Sequence, residues 1–388
     1  MFEYPNKLNN IFDKLNKYEI KSIFVGGFVR DSFLKISSKD IDIELYNAKS
    51  FEQVVDILKE FAIPCIVGKS FGVIKLKIDD LDIDFCLPRL ENKVSKGHKG
   101  FKVTINSSLD FKKAALRRDF TMNAIGFDVD SKKILDPFNG VEDLKNKILK
   151  IINPKTFIED PLRILRAMGF CARFELKCED SLLLICKEMV EQKLLEELPQ
   201  SRVYEEFKKL FLKSKRPSIG FSFLKTVGAL NFFYELNMDD KLWFCTLDSI
   251  DKFCNNKLDD DKTNTTIMLA LLCYGLSEKD IDTFVYKLTN KRKLIKRVKS
   301  FHHVAKYLQG KSTKLLYRIT KDICLDEITA FLNALNMPKE TMSAVKFIKP
   351  TTHAKDISLA DIKEPKDYSI VLQTLYEKQL NRYVILKI

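Results

Sequence analysis

Gly26-Gly27-Phe28-Val29-Arg30-Asp31, followed shortly by Asp40-Ile41-Asp42-Ile43-Glu44, is the stretch on which the fold turns. Ile23 to Val25 is a short apolar run that ends at the two glycines, and a helical pattern resumes after them. The segment therefore reads as strand, tight corner and helix. Glycines let a backbone approach a phosphate closely, and the N–H groups at a helix start attract one. Arg30 adds a guanidinium able to make a forked, charge-assisted contact. By itself such a pair of glycines serves equally as a plain turn. Ile41 to Leu45 alternates apolar with acidic, and side chains two apart on a strand share a face, so Asp40, Asp42 and Glu44 line one surface. Carboxylates this close are costly unless a cation balances them, and divalent magnesium is the usual occupant of such a set. The alternative is an exposed acidic strand face.

Working outward, Val73 to Ile78 and Leu81 to Phe85 are alternating runs joined by Asp79-Asp80, which suits a tight hairpin. Asp82 and Asp84 lie on the face opposite Leu81, Ile83 and Phe85, so if the two acidic strands are neighbours, Asp84 completes a three-carboxylate cage. Residues 91 to 109 carry Lys93, Lys96, Gly97, His98, Lys99 and Gly100 with little periodicity, and read as a mobile basic loop able to close over a ligand. Past the turn Asp136-Pro137-Phe138-Asn139-Gly140, helical spacing of Leu, Ile and Phe persists, with interruptions at Pro154, Pro217, Pro338 and Pro350. The expectation is an α+β chain: a small mixed β-sheet with flanking helices, then helix bundles. Lys291-Arg292-Lys293, with Lys296, Arg297 and Lys299, places positive charge on one helical segment, either a solvated face or an RNA contact.

A chain of 388 residues with 45% hydrophobic and 31% charged residues has the balance of a globular protein of two to four compact units, which excludes disorder and collagen-like structure. The apolar run Ile267 to Leu276 is too short to cross a bilayer, so no membrane segment is expected. The N-terminal Met-Phe-Glu-Tyr-Pro-Asn-Lys-Leu lacks the pattern of a signal peptide, which points to the cytoplasm. Nine cysteines without a Cys-x-x-Cys pair read as reduced thiols, mostly in the core. Lys and Arg total 66 against 53 Asp and Glu, a net +13 that favours nucleic acid as a partner. Gly68-Lys69-Ser70 ends like a phosphate-binding loop but has Ile63 where the first glycine belongs, and no G-x-G-x-x-G occurs.

The Gly-Gly corner followed by Asp-x-Asp resembles the opening motif of the class II tRNA nucleotidyltransferases, the CCA-adding enzymes and bacterial poly(A) polymerases. Two further motifs of that family match, Arg117-Arg118-Asp119-Phe120-Thr121-Met122-Asn123-Ala124 and Glu159-Asp160-Pro161-Leu162-Arg163-Ile164-Leu165-Arg166. Asp136 to Gly140 fits the segment between them, and Leu288-Thr289-Asn290-Lys291 is similar to a later element. The likeness is firm over residues 20 to 175 and thin beyond.

The resemblance implies a nucleotidyltransferase head over residues 1–140, then an all-α neck (141–210), body (211–290) and tail (291–388). It implies that Asp40 and Asp42, with Asp84, hold catalytic Mg2+, and that Gly27 and Arg30 meet the triphosphate. Arg118 and Asp119 would contact ribose or base, and Asp160 and Arg163, with Arg166, the incoming nucleotide. Asp160 also suits an N-cap with Pro161 at the first helical position, which projects Arg163 one turn on. A carboxylate beside a guanidinium complements the amino group and bare ring nitrogen of cytosine and adenine, and mismatches uracil and guanine. The implied activity is addition of C, C and A to the 3′ end of tRNA from CTP and ATP without a nucleic-acid template, by two-metal chemistry. The helical remainder would bind the acceptor arm and elbow by shape. A full-length 91–109 segment favours complete CCA synthesis. The alternatives are a poly(A) polymerase, a CC- or A-adding enzyme, a nucleotidyltransferase acting on a small molecule, or a silent RNA-binding protein. His302-His303 lacks the His-Asp pair of an accessory phosphohydrolase.

Overall fold

The computed structural model describes residues 2–67, 72–93, 101–310 and 323–337, with 370, 371, 374 and 375. Pro338, Pro350 and the stretch 94–100 lie outside the described residues, as does nearly all of the segment beyond 337. The chain packs as two compact units, one of Met1–Ile164 with Leu176–Leu198, the other of Leu165–Glu175 with the residues from Pro199 onward.

In the first unit α1 (Asn9–Asn16) precedes β1 (Lys21–Val25), the glycine corner and α2 (Gly26–Phe33). Next come β2 (Asp40–Tyr46), α3 (Phe51–Leu58), β3 (Cys65–Val67), β4 (Val73–Ile78) and β5 (Leu81–Cys86). The expected hairpin is β4–β5, with Asp79 in the left-handed region at φ 54. After β6 (Arg89–Lys93), β7 (Phe101–Ile105) and α4 (Phe111–Ala115), the strands β8 (Gly126–Asp128) and β9 (Lys133–Leu135) complete a seven-stranded sheet ordered β3-β4-β5-β2-β1-β8-β9. The sheet is mixed as expected, since β2 runs parallel to β5 and every other pairing is antiparallel.

Alternation on the central strands decides the faces. Ile41, Ile43 and Leu45 are fully buried, and the Phe24 ring meets Phe12 of α1 at 5.4 Å and Phe28 of α2 at 5.5 Å. On the other face Ile23, Val25 and Tyr46 pack against Ala114 of α4. Asp42 is the register partner of Val25, so the acidic row shares that second face.

One reading is corrected here. The loop expected over residues 91 to 109 gives way to strand only at its described flanks: Arg89–Lys93 and Phe101–Ile105 pair antiparallel, Glu91 opposite Val103, while Lys96, Gly97, His98, Lys99 and Gly100 lie outside the described residues. Lysines and glycines mask the strand pattern, and only pairing across the intervening residues satisfies the backbone groups.

Helix follows, interrupted by the short pair β10 (Ile148–Leu149) and β11 (Lys177–Cys178). The first unit also holds α5 (Gly140–Lys145) and α6 (Pro154–Phe157); α7 (Leu162–Phe174) runs across the division, and α8 (Asp180–Glu191) returns to the first unit. The described part of the second unit is helical: α9 (Gln200–Lys213), α10 (Pro217–Thr226), α11 (Asp240–Cys254), α12 (Asp261–Leu272), α13 (Glu278–Leu288), α14 (Arg292–Gly310) and α15 (Leu325–Ala334). Pro154 and Pro217 open helices rather than break them, as a residue without an N–H should. Phe207 meets Phe221, Phe233 and Phe284 edge-on in its core. The apolar run at 267 belongs to α12, which is buried on every side from Asn264 to Leu272. No helix among the described residues is long and apolar enough to cross a membrane. All nine cysteines are free thiols, but only Cys171, Cys186 and Cys273 are buried, fewer than expected.

Candidate active site

The parallel register of β2 and β5 sets Asp40 beside Asp82 and Asp42 beside Asp84. The strands are thus neighbours, the condition required for a shared acidic site. Gly26 begins α2 with φ +71, and a Cβ there would stand 3.0 Å from Asp42 Oδ2 and 3.5 Å from Arg118 Nη1. A side chain at this corner would occupy the space where strand end, carboxylate and guanidinium meet. The start of α2 has no side-chain cap, so its first N–H groups are presented at the same corner.

Burial holds the Asp42 carboxyl above the ordinary carboxylate range; Arg118 counters this, while Asp84, Asp40 and Glu44 add to it. Glu44, two residues on, has a different role. It is fully buried and accepts from Arg117 Nη2 at 2.7 Å, Arg118 Nη2 at 3.0 Å and the Tyr46 hydroxyl at 2.8 Å. Burial alone would raise it, but the two guanidiniums and the hydroxyl bring it down to about 2.

Three distant motifs interlock in this unit. Arg30 Nη1 donates to Asn123 Oδ1 at 2.6 Å, joining the first motif to the second. Arg163 Nη2 donates to the Arg117 carbonyl at 2.6 Å, joining the third to the second. Arg163 Nη1 reaches the Thr156 carbonyl at 2.8 Å, and the guanidinium lies over the Phe157 ring. The Asp160 carboxylate accepts from Leu162 N–H at 3.1 Å and caps the first turn of α7.

The other expected residues are placed as follows. Arg30 is 4% exposed and pairs with Asp31 at 2.6 Å, so it braces the corner rather than projecting from it. Asp119 is buried and accepts from Phe120 N–H and Asn123 Nδ2. Arg118 Nη1 donates to the Asn123 carbonyl at 2.9 Å, whereas its buried Nε has no hydrogen-bond acceptor among the described residues. Arg166 belongs to the second unit, its guanidinium over the Phe170 ring at 5.3 Å. Asp84 accepts from Lys75 Nζ at 2.9 and 2.7 Å, and among the described residues no three His, Cys, Asp or Glu side chains form a ready ligand set.

Asp40 and Asp42 nevertheless suit a divalent ion. They offer hard oxygen donors, and Asp42 is a half-buried carboxyl next to other carboxylates, a burden which a cation would relieve. Sequence reasoning missed Lys75, Asn123 and the pairing of Glu44. For Glu44 the signal was the Arg117-Arg118 pair, two buried cations needing a buried anion; for Lys75 it was the hairpin register, which sets it opposite Asp84.

The fold is that of a nucleotidyltransferase head, a mixed sheet with helices, followed by a helical region. Residues 22–150 match the family described as the poly A polymerase head domain. The likeness to class II tRNA nucleotidyltransferases and bacterial poly(A) polymerases drawn from the motifs is borne out. The Multifunctional CCA protein of Methylobacillus flagellatus is 36% identical over 207 residues, 53% of this chain and 48% of that protein. The CCA-adding enzyme of Buchnera aphidicola (strain 5A) is 31% identical over 277 residues, 68% of this chain and 60% of that one. The chain thus spans about half the length of the curated relatives it matches. A tRNA nucleotidyltransferase complexed with a primer tRNA and an incoming ATP analog has the same fold at TM-score 0.68 and 21% identity, covering 87% of this chain and 96% of that one.

Proposed function

We propose that the chain is a CCA-adding tRNA nucleotidyltransferase. The observation that carries this is the meeting of three motifs, through Glu44, Arg117, Arg118, Asn123 and Arg163, around the corner where Asp42 faces Gly26. The 3′-hydroxyl of a tRNA attacks the α-phosphorus of CTP or ATP, and pyrophosphate leaves. Divalent ions, Mg2+ in our reading, held by Asp40 and Asp42 would supply positive charge at the attacking and leaving oxygens. Gly27 and the uncapped N–H groups of α2 receive the triphosphate, with Arg30 bracing that corner. Arg118, with its unaccepted Nε, and Asp119 address the sugar and base.

Asp160 and Arg163 choose the base. The acceptor–donor pair matches C and A, while U and G leave buried groups unpaired, at about 1 to 3 kcal/mol each. Residues 1–140 serve as head, 141–210 as neck, 211–290 as body and 291–388 as tail, the last two holding the acceptor arm and elbow. The working place is the cytoplasm, where tRNA ends are made and repaired.

The test supplies Mg2+ and tRNAs ending before CCA, or at CC, and an unrelated RNA, with CTP and ATP singly and together. The expected result is C, C and A added to tRNA only. Long A tails on any RNA would make the protein a poly(A) polymerase, additions stopping at CC or limited to A would make it a partial enzyme, and binding without incorporation would leave a silent RNA-binding protein.

A further inference from the structure

The acidic face carries its own cation. Lys75 stands directly opposite Asp84 in the β4–β5 register, and its Nζ contacts both Asp84 oxygens, at 2.9 and 2.7 Å. Asp84 is in turn the neighbour of Asp42 across the parallel β2–β5 pairing. A lysine whose ammonium bridges both oxygens leaves that carboxylate few lone pairs for a second cation. The ammonium is also attracted by Asp42 and Asp40, so it is placed to repel any ion those two hold.

We propose that Lys75 is a positioning residue that withholds Asp84 from the metal, so that Asp40 and Asp42 alone set the intrinsic affinity for a divalent ion until nucleotide arrives. This rests on the reading of Asp40 and Asp42 as the cation site. The pair is half exposed, with side-chain exposures of 50% for Lys75 and 31% for Asp84, so its hold is a factor of a few in an equilibrium. That makes it a brake on metal binding, one that an incoming triphosphate carrying its own cation can override. Restraint of this kind disfavours tight metal binding without substrate.

Manganese(II), followed by electron paramagnetic resonance without nucleotide, reads affinity independently of turnover. Lys75→Met, which keeps the apolar stem, is expected to tighten manganese binding about fivefold. Lys75→Arg, which keeps the pair, is expected to match the wild type. Asp84→Asn alone is expected to change affinity less than about twofold, and Lys75→Met with Asp84→Asn to lose the gain. Unchanged or weaker binding in Lys75→Met overturns the proposal, as does an Asp84→Asn loss equal to that of Asp40→Asn, which would make Asp84 a ligand in the resting protein. Absence of manganese binding in both wild type and Lys75→Met removes the underlying cation site as well, a result distinct from binding that merely ignores Lys75.

Discussion

Glu44 and Asp42 lie two residues apart on one strand face, yet their surroundings drive them in opposite directions. Glu44, despite full burial, is held at about 2 by Arg118, Arg117 and Tyr46, against an ordinary value of 4.5. Because its folded value lies below its unfolded one, its contribution is complete above about pH 4.5 and is lost as the pH falls towards about 2. The size is about 3 kcal/mol. Glu44→Gln strands two buried guanidiniums, so urea unfolding near neutral pH should show a loss of about 3 to 5 kcal/mol. Its stability should also fall less steeply than the wild type's between those pH values; an unchanged acid slope would deny Glu44 its role. Asp42 is raised by burial, so its ionised form is a burden without a cation. Asp42→Asn should abolish incorporation, spare tRNA affinity, and raise the melting temperature of the metal-free protein, whereas near-normal turnover would remove Asp42 from the site. Alternation in Asp40 to Glu44 gave the face of both residues. It carried no sign that Glu44's partners come from Arg117 and Arg118, because that contact is made only when α4 folds onto the sheet.

At the scale of elements, the corner between β1 and α2 and the first turn of α7 were both legible, because each depends on local chemistry. Gly26 has positive φ and faces Asp42, so Gly26→Ala carries backbone strain of about 1 to 2 kcal/mol and presses a methyl on the carboxylate. Incorporation should fall at least tenfold while the fold persists by circular dichroism. Asp160 caps α7 as its neighbour Pro161 suggested, and Arg163 follows one turn on, tied to two backbone carbonyls. Arg163→Ala should raise misincorporation of U against C and A by about ten- to a hundredfold, measured by competition; unchanged selectivity would end its role in base choice. The strands β6 and β7 were not legible. Their residues show no clean alternation, and their stability comes from each other rather than from either segment alone.

For the whole molecule, the excess of +13 is the property that reaches furthest from any one contact. Part of the basic segment on α14 is spent within the second unit, since Arg297 pairs with Glu327 and Lys299 with Asp282 at 2.5 Å. Lys291, Arg292 and Lys293 remain exposed. Composition showed the sign of the charge but not this division, because pairing depends on which helices become neighbours. If those exposed groups meet RNA phosphates, association releases counterions. A footprint of about five phosphates should then lower tRNA affinity by about 10²- to 10³-fold between 50 and 200 mM salt. Asp42→Asn leaves these lysines in place, so its salt slope should equal the wild type's. Reversing Lys291, Arg292 and Lys293 to Glu should flatten the slope and weaken binding to any RNA in proportion, with selection among CTP, ATP and UTP intact. A slope unmoved by those reversals would locate the phosphate contacts elsewhere on the chain.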